Sequence, residues 1–354
     1  MNRLREVAAV FTRLGLFGFG GPAAHLGMME ADLVERRGWI TREHFLDIAG
    51  AVNLIPGPNS TEMVIHLGWL RAGWRGMLVA GICFLAPAVL LTGLLGWLYV
   101  NYGALPSVQA FIWGIQPAVW ALILAAGWRL ARTAITGVRQ AILAAVVIAA
   151  VLLGLNEVLA LLLGIALGVL VLAPRPRDTA REGASLLFLF LFFLKVGAVL
   201  YGTGYVLVAF LEGDLVEAHG LLTRQQLLDA IAAGQLTPGP ILSTATFIGY
   251  LLHGWAGAVV GTVAIFLPSF VLVAIFGPLL SRLRQSPRAE LFLAAVRVAA
   301  VALIAAVLLK LGKETLLDWR AALIALLAAV AAIRFKAGAV PLVCGGALLG
   351  WVLA

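Results

Sequence analysis

Two copies of a Pro-Gly-Pro motif lie in otherwise apolar sequence, and the groups around them could bind a ligand. The first copy reads NLIPGPNSTE from residue 53, and the second reads QLTPGPILST from residue 235. Proline removes a backbone donor and clashes with the preceding turn, so each motif should break a helix. Proline also suits the first turn of the next helix, where unpaired amide groups and a partial positive charge favour an anion. The motifs therefore predict two anion-binding helix starts.

Polar side chains beside the motifs could complete such a site. Hydroxyl groups would donate hydrogen bonds to an anion, while Asn53 and Gln235 would bond either its oxygens or the broken backbone. The competing interpretation is that each motif only kinks a packed helix, in which small residues permit close approach. Two copies beside hydroxyl groups favour the anion site. The candidate binding residues at the motifs are Asn53, Pro56, Gly57, Pro58, Asn59, Ser60, Thr61, Gln235, Thr237, Pro238, Gly239, Pro240, Ser243 and Thr244.

Charged side chains within apolar segments form the second set of candidates, because ionisable residues at membrane depth are usually functional. Partial charges alone barely offset the removal of a dianion from water, so full cations are also expected near the helix starts. Arg13, Lys195 and Arg297 each interrupt an apolar segment. Glu62 follows the first motif and is matched by Thr244 in the second copy. Glu62 either pairs with an arginine as a structural contact or carries a coupling proton, and both interpretations stay open.

Other kinds of chemistry find little support in the sequence. The five histidines have no spacing typical of metal ligands, and no G-x-S-x-G motif or pair of protease-like aspartates occurs. We therefore predict no catalytic residue, no metal site and no cofactor. The net charge of +8 comes without a basic run or an aromatic-basic motif, so no nucleic-acid partner is expected.

Composition indicates a polytopic membrane protein. The chain is 62% hydrophobic and 12% charged, whereas soluble domains are about 25% charged. Apolar stretches of about 18 residues or more recur along it, each long enough to cross a hydrocarbon core of about 30 Å. The expected surroundings are therefore a lipid bilayer. A homodimer is compatible with this composition, which does not specify an oligomeric state.

The chain consists of two sequence repeats. The pattern GWITREHFLDIAGAVNLIPGPNSTE from residue 38 returns as GLLTRQQLLDAIAAGQLTPGPILST from residue 220. The offset between them is 182 residues (238 − 56 at the first proline of the motif), and it falls to 181 downstream, where Pro87 meets Pro268 (268 − 87). Matched proline, arginine and aspartate residues are rare in apolar segments, so this register is specific. We predict a first repeat at 1–173, a charged cytoplasmic linker at 174–185 and a second repeat at 186–354.

The basic loops predict that the two repeats are inverted. Lys and Arg accumulate in cytoplasmic loops, and Arg71 and Arg75 mark such a loop in the first repeat. The matching loop around His253 has no Lys or Arg, whereas the basic run SRLRQSPR from residue 281 marks the following loop as cytoplasmic. Inverted repeats are typical of secondary transporters, whose substrate sites lie between the repeats near the membrane midplane.

Inversion requires an odd number of crossings in each repeat, whereas each repeat shows six apolar segments. One of the first two segments should therefore enter and leave on the same side, and the segment around Pro-Gly-Pro is the candidate. The predicted fold is an all-α polytopic membrane protein with about 10 transmembrane helices and one re-entrant Pro-Gly-Pro helical hairpin per repeat. This count places Arg3 and Arg5 outside, against the usual charge bias.

The motifs resemble those of the chromate ion transporter family. The resemblance rests on FGFGGP from residue 17, LIPGPN from 54 and LTPGP from 236, and on the match of LGWLRAGWRG from 67 to IGYLLHGWAG from 248. It covers nearly the whole chain and departs at Thr203 and Gly204, which replace the Gly-Pro of the first repeat.

The resemblance implies a long-chain, two-domain carrier in the bacterial plasma membrane that exports chromate, a tetrahedral dianion similar to sulfate, and confers chromate resistance. Without the resemblance, the residues indicate only that the chain transports an anion. They leave open a carrier or a channel, and chromate, sulfate or another anion. An intramembrane enzyme is less favoured, because no catalytic constellation occurs.

Overall fold

A computed structural model describes residues 3–18, 22–52, 56–135, 137–153, 155, 159–161, 163–164, 185–202, 206–276 and 287–353. These residues are helical apart from loops and two strands of two residues each, in agreement with the predicted all-α class. Within the described ranges, four helical stretches are long and apolar enough to cross a membrane: Asn59–Tyr102, Val108–Arg132, Ile241–Ile275 and Ala295–Lys313.

The first five helices follow one another in the same order in both halves of the chain, whereas the two strands differ in place: one follows the third helix of the first half and the other follows the first helix of the second. The first half contains α1 (Arg3–Phe17), α2 (Pro22–Met29) with a π-helical extension (Glu30–Arg36), α3 (Arg42–Ala51), β1 (Gly57–Pro58), α4 (Asn59–Tyr102), α5 (Pro106–Ala134) and α6 (Val138–Leu152). The second half contains α7 (Leu186–Val199), β2 (Tyr201–Gly202), α8 (Val206–Phe210) with a π-helical extension (Leu211–Ala218), α9 (Arg224–Leu236), a 3₁₀ turn (Ile241–Ser243), α10 (Thr244–Phe276), α11 (Pro287–Thr315), α12 (Trp319–Arg334) and α13 (Ala339–Leu353).

The repeat is also visible in the backbone conformation. Positive φ angles are easily adopted only by glycine, and the described glycines that adopt them fall into three pairs, each related by the offset of the repeat. The pairs are Gly38 with Gly220 (59° and 62°), Gly57 with Gly239 (139° and 107°), and Gly73 with Gly254 (64° and 58°). Both halves therefore turn at the same places.

The longest helix of each repeat is in fact two helices joined by a tight turn. Ala72 and Gly73 leave helical geometry in α4, and the matching residues of α10 do so with similar angles. A Cβ atom on Gly68 would lie 2.5 Å from the carbonyl oxygen of Gly76, so the chain doubles back there. Residues 59–71 and 74–102 are thus antiparallel neighbours.

The turn in α10 has the same consequence. A Cβ atom on Gly261 would lie 2.7 Å from the carbonyl oxygen of Ala245, which precedes the turn. Residues 241–252 and 255–276 therefore also run antiparallel. Small residues at these contacts allow the two backbones of each pair to approach closely.

Residue contacts divide the chain into two compact units that each draw on both repeats. The first unit contains 1–97, 186–204 and 237–290, and the second contains 98–185, 205–236 and 291–354. The predicted linker at 174–185 lies outside the described residues apart from Ser185. The boundary between the repeats therefore stays a prediction.

In the first unit, matching helices of the two repeats run antiparallel. A Cβ atom on Gly81 would lie 2.7 Å from Cε1 of Phe270, and one on Gly93 would lie 3.1 Å from Cζ3 of Trp255. Residue numbers rise along one helix while they fall along the other. Helix 74–102 therefore runs opposite to its counterpart at 255–276.

The second unit repeats this relationship between α5 and α11. Trp120 Nε1 donates a hydrogen bond to the carbonyl oxygen of Leu308 across 2.9 Å. A Cβ atom on Gly127 would lie 2.9 Å from the side chain of Ile304, and one on Gly312 would lie 3.0 Å from Trp120 Nε1. These two helices, which also match in the repeat, run antiparallel as well.

Polar contacts at Glu6 join three chain segments at one place: α1, the loop that contains Arg37 and Trp39, and the tight turn in α4. Glu6 Oε2 lies 2.7 Å from the Arg71 guanidinium, Glu6 Oε1 lies 3.7 Å from Arg37, and Oε1 accepts a hydrogen bond from Trp39 Nε1 across 3.1 Å. The hydrogen bond from Arg71 holds the pKa of Glu6 below its ordinary value. The two ends of segment 6–37 therefore lie close together, and so do the two ends of segment 39–71.

The cluster corrects one expectation about topology. The N-terminal residues Arg3 and Arg5 lie at the Arg71 end of the structure, because Glu6 contacts Arg71 directly. The expectation that they lie on the opposite side is wrong. Its physical cause is the length of α1, whose 15 residues span about 22 Å, less than the roughly 30 Å hydrocarbon core.

Candidate functional site

The first Pro-Gly-Pro break pairs with the second repeat through the backbone. Gly57 donates its amide hydrogen to the carbonyl oxygen of Leu200 across 2.6 Å. Gly57 and Pro58 form β1, which pairs in parallel with Tyr201 and Gly202 of β2. The amide inside the motif is therefore satisfied by the interruption that follows α7.

The second break makes the reciprocal contact. Gly239 donates its amide hydrogen to the carbonyl oxygen of Gly18 across 2.9 Å. Both donors and both acceptors are related by the repeat offset of 182 (239 − 57 and 200 − 18). Each motif thus bonds to the interruption after the first helix of the other repeat. We call these two contacts the crossed breaks.

A helix-interior proline stands beside each crossed break. A Cβ atom on Gly57 would lie 2.6 Å from Ser269 Oγ, next to Pro268, and one on Gly239 would lie 2.9 Å from Ala88, next to Pro87. The site of the missing Cβ on Gly57 is also filled by Glu62 Oε1. Close packing and positive φ both explain why the middle residue of each motif is glycine.

The helix that follows the first break begins with buried polar residues. Helix α4 starts at Asn59, and Ser60, Thr61 and Glu62 are almost completely buried. Thr61 Oγ1, both carboxyl oxygens of Glu62 and Ser269 Oγ have no hydrogen-bond partner among the described residues. The structure therefore does not show Glu62 paired with an arginine, which was one of the two interpretations of this residue.

At the second break the polar groups contact other residues of the same segment, 237–244. Ser243 donates its amide hydrogen to the carbonyl oxygen of Pro240 across 3.0 Å. The hydroxyl of Thr244 donates to the carbonyl oxygen of Ile241 across 2.7 Å, and the Thr237 and Ser243 hydroxyls lie 3.3 Å apart. The two helix starts are thus related in backbone but different in their free polar atoms.

The structure does not bring Arg13 or Lys195 to the buried helix starts. Arg13 is exposed and lines a cleft of about 400 Å³ between α1 and α2, where Asp32 and Arg36 also contribute. Lys195 is exposed on α7, with its Nζ 5.5 Å from the centre of the Phe192 ring. Arg297 is exposed on α11.

The two predicted amide side chains have different outcomes. Asn53 lies outside the described residues. Gln235 is partly buried on α9, and its Nε2 has no hydrogen-bond partner among the described residues. In the described part of the chain, no group of three or more His, Cys, Asp or Glu residues is arranged to hold a metal ion.

Sequence reasoning missed two polar residues, Ser269 and His25, and the hydrogen-bond partner of Asp229, a residue that it expected to orient its hairpin. Ser269 faces Gly57, and its position beside Pro268 at the repeat equivalent of Ala88 could have identified it. His25 Nε2 donates to the carbonyl oxygen of Gly18 across 2.7 Å, beside the second crossed break. In the second unit, Asp229 accepts a hydrogen bond from the Tyr99 hydroxyl across 2.8 Å. Nothing in local sequence indicates either of these last two contacts.

Comparison with known proteins agrees with the repeat. The model of the family described as "Chromate transporter" matches residues 5–169 and again residues 187–351. The two matches are offset by 182 residues (187 − 5), as are the motifs. No solved structure matches the chain.

Several relatives are similar over most of their length. The "Chromate transport protein" of Cupriavidus metallidurans is 32% identical over 99% of this chain and 93% of its own. The "Probable chromate transport protein" of Synechococcus elongatus is 32% identical over 92% and 89%, and that of Pseudomonas aeruginosa, named "Chromate transport protein", is 30% identical over 88% and 81%. Membership of a transporter family agrees with the expectation of a transport protein instead of an enzyme. The chain is a multi-pass membrane protein that belongs to the chromate transporter family.

Proposed function

We propose that this chain is a secondary transporter that exports chromate across the plasma membrane and thereby confers chromate resistance. The structural observation that carries the proposal is the pair of crossed breaks, Gly57 with Leu200 and Gly239 with Gly18. Crossed helix breaks shared by two repeats are suited to a substrate site between them. The names of the relatives supply chromate as the cargo.

The proposed topology has two inverted repeats, each with a re-entrant Pro-Gly-Pro hairpin. Inversion is supported by the antiparallel packing of matching helices within each compact unit. The hairpin of the first repeat is supported by the Glu6 cluster, to which Trp39 and Arg71 both belong. Because α3 begins near this cluster and residues 59–71 end at it, the segment leaves and returns on one side.

The proposed anion site uses the helix starts that follow the two motifs. A tetrahedral oxyanion presents four oxygen acceptors, which suit hydroxyl groups and amide groups at helix N-termini. Thr61 has an unpartnered hydroxyl at the first start, and Ser243 and Thr244 lie at the second. Asn53 and Gln235 remain candidates from the sequence.

The proposed role of the cations is to attract the anion towards the site. Arg13 shares its cleft with Arg36, whose partner Asp32 lies 3.6 Å away. Lys195 matches Arg13 in the second repeat (195 − 13 = 182). Exposed cations raise the local concentration of an anion without the cost of burying a charge. Arg297 is included as the third cation.

The crossed breaks also suggest how the site could face each side in turn. Each break has its own backbone contact with the other repeat, Gly57 with Leu200 and Gly239 with Gly18, so the two can open separately. Opening at Gly57 would expose the site on one side, while the closed contact at Gly239 would seal the other. Repeat symmetry gives the two arrangements similar energies, as alternating access requires.

Transport assays on purified protein in liposomes test this function. We expect saturable chromate uptake and counterflow, in which internal chromate accelerates the entrance of labelled chromate. Competition by sulfate, molybdate and chloride then ranks the cargo. Conductance without counterflow would indicate a channel, and preferential transport of sulfate would contradict chromate as the cargo.

A further inference from the structure

The two crossed breaks differ in two side chains. Gly57 faces the carboxyl group of Glu62 and the hydroxyl group of Ser269. At the matching positions, Thr244 replaces Glu62 (244 − 62 = 182) and Ala88 replaces Ser269 (269 − 88 = 181). An acid and a hydroxyl therefore face the glycine of the first break, whereas neither an acid nor a hydroxyl faces Gly239 in this way.

The acid at the first break is completely buried and has no hydrogen-bond partner among the residues that the structure describes. Glu62 and Ser269 are both 0% exposed, and neither Glu62 oxygen nor Ser269 Oγ has a hydrogen-bond partner among the described residues. Glu62 Oε1 and Ser269 Oγ both lie within 2.6 Å of the point that a Cβ on Gly57 would occupy. Buried polar groups without partners are rare and costly, so these atoms are expected to have a ligand in the working protein.

In the part of the chain that the structure describes, no cation forms an ion pair with Glu62 from the neighbouring elements. Helix 255–276 has no ionisable side chain, α7 carries only the exposed Lys195, and His66 lies one turn further along the helix of Glu62 and is buried. The ionisable residues of α3 near this hairpin are all exposed; they are Arg42, Glu43, His44 and Asp47. Without a nearby cation, a bound proton is the simplest way to neutralise the buried carboxyl group.

We propose that Glu62 carries a proton through the transport cycle and that Gly57 and Ser269 cover it while the first break is closed. When the break opens, the O–H bond of the carboxylic acid breaks and the proton passes to water. The helix start then stabilises the carboxylate. This inference rests on the proposed transport function for its cargo, but it concerns the coupling ion.

Electrostatics fixes the direction of coupling. An ionised carboxylate at the helix start repels a dianion, because like charges interact strongly where the dielectric constant is low. The anion therefore binds when Glu62 holds its proton, and both move in the same direction. During export the inward proton gradient opposes this movement, and the membrane potential drives it, because a dianion with one proton carries a net charge of −1 out of a negative interior. The matching helix start has Thr244 instead, so one proton is coupled on the first repeat only.

The test measures chromate accumulation in proteoliposomes under an imposed proton gradient. We expect external acidification to increase accumulation, by about tenfold per pH unit for one-to-one coupling. Glu62→Gln, which mimics the protonated acid in shape, should still exchange chromate but lose this dependence. Chromate itself is protonated to the same extent in assays of the wild type and of Glu62→Gln. The difference in accumulation between the two proteins at each pH therefore reports the contribution of Glu62. Glu43→Gln, an exposed acid on the same hairpin, should keep the dependence.

A second variant covers the case in which Glu62→Gln does not fold. Ser269→Ala should move the pH midpoint of transport upwards, because a methyl group in place of the hydroxyl makes the surroundings of the ionised carboxylate less polar. Equal dependence on the proton gradient in wild type and Glu62→Gln would overturn the inference, as would coupling to a sodium gradient instead. These results leave chromate transport itself intact. If the wild type transports another anion and no chromate, the proposed cargo fails, and the same gradient test applied to that anion decides the role of Glu62.

Discussion

Gly57 donates its amide hydrogen to the carbonyl oxygen of Leu200 across 2.6 Å, so a break in one repeat is satisfied by a break in the other. In a bilayer, each unsatisfied backbone group costs several kcal/mol. The matching bond satisfies the amide of Gly239, in the second repeat, with the carbonyl oxygen of Gly18, in the first. Each repeat therefore completes the backbone of its partner, and we expect neither repeat to reach this conformation when produced alone.

Gly57→Ala should damage the first crossed break. Its φ of 139° is unfavourable for alanine, which costs about 1–3 kcal/mol, and the new methyl group would collide with Glu62 and Ser269. We expect a lower yield of folded protein and loss of transport. Gly27→Ala is the control, because nothing lies within 4 Å of its Cβ position. Wild-type yield and transport in Gly57→Ala would contradict the crossed arrangement.

Acidification should weaken the Glu6 cluster. The pKa of Glu6 lies below the ordinary value of 4.5 because Arg71 donates a hydrogen bond to it. Its contribution to stability is therefore complete above the unfolded-state pKa and is lost as the pH falls through the lower folded-state pKa. Thermal unfolding in detergent should show this loss in wild type and not in Glu6→Gln. Glu35→Gln, at an exposed position, should behave as wild type, and identical acid profiles for all three proteins would exclude the effect.

Neutralising the exposed cations should weaken anion binding modestly. Arg13→Gln, Lys195→Gln and Arg297→Gln remove exposed charges, and such charges are screened by salt. We expect each variant to fold normally and to lose about tenfold or less in chromate affinity, with the loss shrinking as salt increases. Equilibrium binding at low and high ionic strength measures this. A large loss that salt does not reduce would indicate direct contact with the anion.

Cysteine labelling should report the inversion of the repeats. Arg36 and Ala218 are matched positions (218 − 36 = 182) and both are exposed. In a background without Cys83 and Cys344, Arg36→Cys and Ala218→Cys should react with an impermeant reagent from opposite faces of the membrane. Reaction of both from one face would contradict inversion.

Two further cysteines test the corrected side of the N-terminus and the predicted linker. Arg5→Cys should label with Arg36→Cys, because the Glu6 cluster holds both ends together. Ala180→Cys, in the predicted cytoplasmic linker, should label from the cytoplasmic face. Labelling of Arg5→Cys from the face opposite to Arg36→Cys would restore the original expectation for the N-terminus.

Sequence reasoning identified the features that depend on local chemistry. Proline and glycine break helices by themselves, so the positions of both motifs could be predicted, and the repeat offset followed from rare residues in register. The family was recognised from the same motifs. The pairing of Gly57 with Leu200 could not be predicted. It joins two distant segments, and no local sequence pattern in either segment indicates that it contacts the other.

The sequence also did not predict which faces of the membrane helices are buried. Lys195 lies deep within an apolar segment, which suggested an inward-facing cation. In the structure, the buried residues of α7 form one stripe, Leu189, Phe192, Phe193, Val196 and Gly197, and Lys195 falls outside it. A helix that is apolar on every side gives no amphipathic signal to separate these faces.

The tight turn at Ala72 and Gly73 has a mechanical consequence. Gly68 and Gly76 bring the two backbones next to it into close contact, and close-packed contacts transmit displacement with little give. Residues 59–71 are therefore expected to move with helix 74–102 as one rigid lever. A small tilt of helix 74–102 in the membrane would move residues 59–71 with it. Glu62 would then move away from Gly57, which covers it.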